Sequence, residues 1–146
     1  MFRGSATAKI DERGRLKVPT DFRRILEDRH GPDVFVTSFQ GKSTLLFPLS
    51  VWEGIEQRLA KLPSTHQLKR RFVARVSYYG QQARLDSQAR IVIPPILRES
   101  AEMSGEVLVF GSIDHLEIWN RKRFESRLER EPREEDEFDV LSEDGV

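Results

Sequence analysis

The chain has 146 residues, enough for one domain able to bury roughly 70% of its unfolded surface. It contains no cysteine, which excludes a disulfide framework and thiolate metal sites, and no apolar run approaches the length of a membrane helix. Its net charge of zero is a cancellation: residues 1–80 hold 15 Lys and Arg against 8 Asp and Glu, residues 81–130 hold 8 of each, and residues 131–146 hold 1 against 8.

A basic body with an acidic tail has two readings, a polyanion partner for the body or a gain in solubility. The N-terminal stretch MFRGSATAKID lacks the apolar segment of a signal peptide, so a soluble cytoplasmic protein is expected. In chain order, ATAKID (6–11) alternates as a half-buried strand does, and DERG (11–14) is a tight turn in which Gly14 can take a positive φ. RLKVP (15–19) alternates again and stops at Pro19. Thr20 is expected to cap a short helix, DFRRILEDRH, that ends at Gly31. DVFVTSF (33–39) reads as a buried strand, and STLLFP (43–48) as another after the turn at Gly41-Lys42. Ser50 with Glu53 predicts a capping box for a helix through Leu62, which Pro63 ends.

Ser64 with Gln67 predicts a second capping box, opening a connecting helix whose Leu68, Phe72 and Val76 fall four apart as one apolar stripe. Its Lys69, Arg70, Arg71 and Arg75 either face nucleic acid or form the wet side of that helix. The chain then repeats itself. At an offset of 75, Ile10-Asp11 matches Leu85-Asp86, Arg15-Leu16 matches Arg90-Ile91, Val18-Pro19 matches Ile93-Pro94, and Phe22-Arg23 matches Leu97-Arg98. Pro94-Pro95 opens the helix ILRESAEM, and Asn120 is expected to cap a last helix, RKRFESRLER. Each copy reads strand, turn, strand, short helix, strand, strand, helix. A unit of this size has little core of its own. Two fused copies therefore predict an α+β, strand-rich fold, intertwined about a pseudo-two-fold. The expected boundaries are a first unit at 5–62, a connecting helix at 63–80, a second unit at 81–130, and a disordered acidic tail at 131–146.

The first turn carries the chemistry. Ile10, Leu16 and Val18 point one way, while Lys9, Arg15 and Lys17 point the other with Arg13 at the tip. An apolar underside below four cations is a poor core element and a good ribbon for the DNA major groove, where arginine bonds guanine and lysine bonds phosphate. The competing reading is a solvated sheet face guarded against edge pairing. Asp11 faces Arg15 across the turn, and Asp86 faces Arg90, so both carboxylates should stay ionised and serve as clamps rather than general acids. The second hairpin keeps Arg84, Gln88 and Arg90 but has Ala89 for the glycine and Val92 for the lysine. His30, His66 and His115 share no ligand spacing, and Trp52, Trp119 and Phe124 read as core. No catalytic group, metal set, cofactor or small-molecule substrate is indicated, and no nucleotide-binding glycine loop is present.

The frame Asp-x-x-x-Arg at 11–15 and again at 86–90, each followed by aliphatic-x-aliphatic-Pro, resembles the MraZ family. The likeness covers residues 1–130 and includes MFRG at the start, Trp52-Glu53, YYG at 78–80 and LEIW at 116–119; the acidic tail lies outside the family pattern. The resemblance implies two SpoVT-AbrB swapped-hairpin units in one β-barrel domain with peripheral helices. It implies a nucleoid-associated bacterial transcriptional regulator, often a repressor, that assembles into rings. Such proteins bind short tandem G-rich direct repeats upstream of the division and cell-wall gene cluster that begins with their own gene. Carried onto this sequence, it makes Arg13, Arg15 and Arg90 the leading DNA contacts and Lys9, Lys17, Arg84 and Gln88 lesser ones, with Asp11, Gly14 and Asp86 shaping the hairpins. Ala89 departs from the usual glycine and leaves the geometry of the second turn open. A small-ligand or enzymatic barrel, and a ring without nucleic acid, are the alternatives. The tail is either a competitor of DNA for the hairpins or a solvated extension.

Overall fold

The computed structural model describes residues 1–131 and 137–146. The first copy is β1 (Ser5–Ile10), β2 (Arg15–Lys17), α1 (Thr20–Arg29), β3 (Asp33–Thr37), β4 (Thr44–Pro48) and α2 (Leu49–Ala60). After α3 (Gln67–Tyr78), the second copy runs β5 (Gln81–Arg84), β6 (Arg90–Val92), α4 (Pro95–Ser100), β7 (Gly105–Gly111), β8 (Leu116–Asn120) and α5 (Arg121–Arg130). The eight strands form one antiparallel sheet in the order β5-β3-β4-β8-β7-β1-β2-β6. The end strands β5 and β6 are the two arms of the second hairpin, and Asp86 N–H donates to the Arg90 carbonyl at 3.1 Å between them. The sheet is thus a nearly closed barrel, which leaves little exposed edge.

Most of the ladder runs between the copies rather than within them. β1 pairs with β7 from Ser5↔Phe110 to Ile10↔Gly105, and β3 pairs with β5 from Asp33↔Arg84 to Val36↔Gln81. β4 meets β8 about Leu45↔Glu117, and β2 meets β6 about Leu16↔Ile91. Exchanging the copies maps this set of pairs onto itself, which is the intertwined pseudo-two-fold that the repeat predicts. The core is shared accordingly: Ile10, Leu16, Val34 and Leu46 bury against Ile91, Ile93, Val107, Val109, Leu116 and Ile118 in one cluster. A second cluster, Leu45, Phe47, Trp52 and Val76, lies where α2 and α3 cover the outside of β4. This double covering is why every residue of β4 is buried.

Three helices start by one rule, a proline at the cap. Pro19, Pro48 and Pro94 each occupy the cap position, with φ between −54° and −52°, and none contributes a side-chain hydrogen bond. Thr20 is therefore the first helical residue rather than the cap, and the capping box expected at Ser50 and Glu53 does not form, because Pro48 turns the chain two residues earlier. The cap of α3 is His66, whose Nδ1 accepts from Lys69 N–H at 3.2 Å, and not Ser64. Asn120 does cap α5, accepting from Arg123 N–H at 3.1 Å. Leu68 leaves the stripe expected for α3: it is 66% exposed, while Val76 is buried. Gly31 ends α1 in the left-handed region, its N–H donating to the Leu26 carbonyl.

The expectation of an unstructured 131–146 is corrected in part. Glu137–Glu143 forms a short helix, α6, none of whose residues is buried. Its acids at positions 137 and 139 suit a helix N-terminus. Residues 132–136 of that range lie outside the described residues.

Candidate nucleic-acid interface

Each charged turn is built around one carboxylate. Asp11 Oδ1 accepts from the backbone N–H of Arg13 and of Arg15, both at 2.9 Å, and Asp11 Oδ2 accepts from Arg15 Nε at 2.8 Å. Asp86 repeats this: Oδ1 accepts from Gln88 N–H at 2.9 Å and Arg90 N–H at 2.8 Å, and Oδ2 from Arg90 Nε at 2.8 Å. Three donors converge on each carboxylate, first the backbone N–H of the partner arginine, and they hold both groups below the usual carboxylate range against a smaller opposing effect of desolvation. The clamp leaves Nη1 and Nη2 of Arg15 and of Arg90 without a hydrogen-bond partner among the described residues. The two side chains stay 27% and 29% exposed.

The fourth residue of each turn is at positive φ, Gly14 at +75° and Ala89 at +57°. The second hairpin therefore keeps the turn of the first, and its alanine accepts the left-handed backbone because the other copy holds it. Val18 N–H donates to the Ala89 carbonyl at 2.9 Å, and Ile93 N–H donates to the Gly14 carbonyl at 2.8 Å. An arginine from the opposite copy also lies at each turn. Arg98 sits so close to Gly14 that a Cβ there would stand 2.5 Å from the guanidinium. Arg23, its counterpart, instead pairs with Glu27 at 2.7 Å and donates Nη2 to the Ser87 carbonyl at 3.2 Å, which leaves room for the Ala89 methyl.

The register of β2 on β6 joins the two hairpins into one outward surface. Leu16 and Ile91 face inward, so their neighbours face out: Arg15 lies opposite Val92, and Lys17 opposite Arg90. Three cations and one valine thus occupy adjacent positions at the pseudo-two-fold. Asp86 balances the Arg90 charge that would otherwise repel Lys17. The tips, Arg13 and Gln88, are exposed beyond this ribbon. Lys9 and Arg84 sit apart from it, on the first arms, each opposite an acid: Lys9 faces Glu106 in the ladder, and Arg84 faces Asp33 with an ion pair at 3.9 Å. Sequence alternation alone gives no sign of these acidic neighbours, because they come from distant strands.

A family model described as "MraZ protein, putative antitoxin-like" matches residues 1–75 and 80–143. The chain belongs to the MraZ family. It is 42% identical over 146 residues to the transcriptional regulator MraZ of Acidobacterium capsulatum, covering all of both chains. It is 41% identical to that of Koribacter versatilis, again over all of both chains. Against that of Escherichia coli O127:H6 the identity is 33%, covering 90% of this chain and 87% of the relative. The match reaches residue 143, so the family pattern extends into the acidic segment, beyond the residue 130 expected from the resemblance. The MraZ relatives are named for transcriptional regulation and not for an enzymatic activity.

The histidines have local jobs in this MraZ chain. The His115 ring stacks on Phe47 at 4.3 Å and bonds Asp114, His30 stacks on Phe2, and His66 caps α3. Among the described residues no group of three or more His, Asp or Glu side chains could hold a metal ion. Among the described residues no helix is long and apolar enough to cross a membrane.

Proposed function

We propose that the chain is a sequence-specific DNA-binding transcriptional regulator that reads double-stranded DNA through the β2–β6 ribbon and the two hairpin tips. The observation that carries this reading is the register that sets Arg15, Lys17 and Arg90 side by side on an outward, rigidly clamped two-stranded ribbon. A ribbon of that width fits the major groove, and the outer edges of two arginines suit guanine O6 and N7. Arg13 and Gln88 extend the reach at the tips, while Arg84, paired with Asp33, and Lys9, on the first arm, contribute to phosphate contact at most. The naming of the relatives as transcriptional regulators supports the same class.

In its finer form the reading is a cytoplasmic, nucleoid-associated repressor. It acts as a ring-shaped homo-oligomer on tandem direct repeats in its own promoter, upstream of the division and cell-wall genes. Ring neighbours related by rotation present identical ribbons head to tail, which matches direct repeats rather than palindromes. Several modules on one body raise avidity by roughly 10²–10⁴ without new contacts. The test is a gel-shift with DNA from upstream of the gene, beside Arg13→Ala and Arg15→Ala variants and a mass measurement of the assembly. Specific binding lost in both variants with the assembly mass unchanged supports the reading. Binding untouched by both removes it.

A further inference from the structure

The last helix of the second copy differs chemically from its first-copy counterpart. α2 carries Arg58 with Glu53 and Glu56, whereas α5 carries Arg121, Lys122, Arg123, Arg127 and Arg130 with Glu125 and Glu129. Arg121 is engaged by Glu125 and Glu106. The other four border an open groove of about 640 Å³, together with Lys42 and Trp119, and among the described residues Glu102 is the one carboxylate in its lining. Arg127 lies over the Trp119 ring, 4.9 Å from its centroid. An adjoining hollow of about 340 Å³ shares Lys42, Trp119 and Arg127 and adds Phe39, which is 38% exposed, and Glu117, whose Oε1 accepts from Ser43 and Trp119. The surface is cationic with an aromatic margin, and the pseudo-two-fold gives it no counterpart on α2.

Helix α6 has the complementary composition. Glu137, Asp139, Glu143 and Asp144 alternate with Phe138, Val140 and Leu141, and those three apolar side chains are 70%, 52% and 50% exposed. A helix of seven residues is too short to sustain itself in water, and this one buries nothing, so its helical pattern calls for a surface to pack on. The acidic run starts at the groove: Glu131, the residue after α5, bonds Arg127 Nε at 2.6 Å. The hairpins are the competing host. Arg15 and Arg90 are already balanced by Asp11 and Asp86, and Arg84 by Asp33, which leaves Lys9, Arg13 and Lys17 there.

We propose that the acidic segment Glu137–Val146 docks in the α5 groove, of its own chain or of a second copy, with its carboxylates on Lys42, Lys122 and Arg130 and its apolar side chains toward Phe39. The proposal does not rest on the DNA reading. It gives the acidic segment a role distinct from competition at the hairpins: it covers a cationic surface that would otherwise bind polyanions without sequence preference.

The six lysines of the chain report where the segment sits. Lys9 and Lys17 mark the first hairpin, Lys61 and Lys69 the junction of α2 and α3, and Lys42 and Lys122 the groove. The full-length protein is treated at low salt with a zero-length carbodiimide, which joins lysine amines to carboxylates, and the joined peptides are identified by mass spectrometry. Links from Glu137, Asp139, Glu143 or Asp144 should concentrate on Lys42 and Lys122 and fall about tenfold at 1 M salt, where the screening length is about 3 Å. In Lys122→Glu/Arg130→Glu, whose two positions are exposed and whose fold is checked by circular dichroism, the Lys42 link should fall to a similar extent. Mixing isotope-labelled with unlabelled chains separates the segment's own groove from a neighbour's, and either supports the proposal. Links concentrated on Lys9 and Lys17, spread evenly over all six lysines, or absent overturn it.

Discussion

Arg98 of the second copy lies directly against Gly14 of the first, 2.5 Å from where a Cβ would be built. The equivalent position in the second hairpin, Ala89, already carries a methyl because Arg23 is drawn away to Glu27 and the Ser87 carbonyl. The two turns share a backbone and differ in what they tolerate. Gly14→Ala should therefore destabilise by about 1–2 kcal/mol from the left-handed backbone alone, with the contact to Arg98 added. Ala89→Gly should stay within about 1 kcal/mol of the parent, because relief of that strain is offset by chain entropy and a lost buried methyl. Urea unfolding of the two variants measures the difference, and equal effects would contradict the asymmetry.

Arg15→Lys keeps the charge and discards the fork. The Nε bond to Asp11 Oδ2 cannot be reproduced by an ammonium in the same geometry. Operator affinity should fall by about tenfold or more while the salt dependence stays close to the parent's, since the number of cations is the same. Arg15→Ala should lose affinity and reduce the salt slope together. Binding titrations at several salt concentrations separate the two patterns.

Val92→Lys restores the cation that the repeat lacks, opposite Arg15 on the ribbon. Val92 is 46% exposed, so the replacement costs little packing. DNA affinity should rise and the salt slope should steepen by about one unit. Weaker binding, or a slope that does not move, would place position 92 away from the DNA.

Acid should open both turns together. Asp11 and Asp86 are held below the usual carboxylate pKa, chiefly by the backbone N–H of Arg15 and of Arg90. A depressed folded pKa means that the clamps contribute in full above the unfolded carboxylate pKa, about 3.9, and are lost as pH falls through their lower folded values. The amide resonances of Arg13, Arg15, Gln88 and Arg90 should therefore hold steady from neutral pH to about 4 and move below it. Asp86→Asn should abolish the acid response of Gln88 and Arg90 and leave that of Arg13 and Arg15.

Much of the site was legible because it is local. The spacing Asp11–Arg15 is short enough for one carboxylate to reach both backbone donors and the side chain, and its recurrence at Asp86–Arg90 signals the same turn. Whether alanine could replace glycine there was not legible, since the answer lies in Val18 and Arg23, which come from the other copy. The caps misled for a local reason. Ser50 three residues before Glu53 looks like a capping box, and Thr20 like a cap, but Pro48 and Pro19 just before them already fix the dihedral that a cap requires.

The residues alone determined the repeat, the alternation of the strands, the place of each turn, and the carboxylate that organises it, because each depends on neighbours a few positions apart. Only the tertiary structure decided which cations stand together and which are balanced. Pairing of β2 with β6 brings Arg15, Lys17 and Arg90 onto one ribbon, while pairing of β1 with β7 and β3 with β5 sets Lys9 and Arg84 against acids. A shift of one residue in any of these ladders would turn the charged faces inward, so the register between distant strands, set by one core shared between the copies, defines the surface.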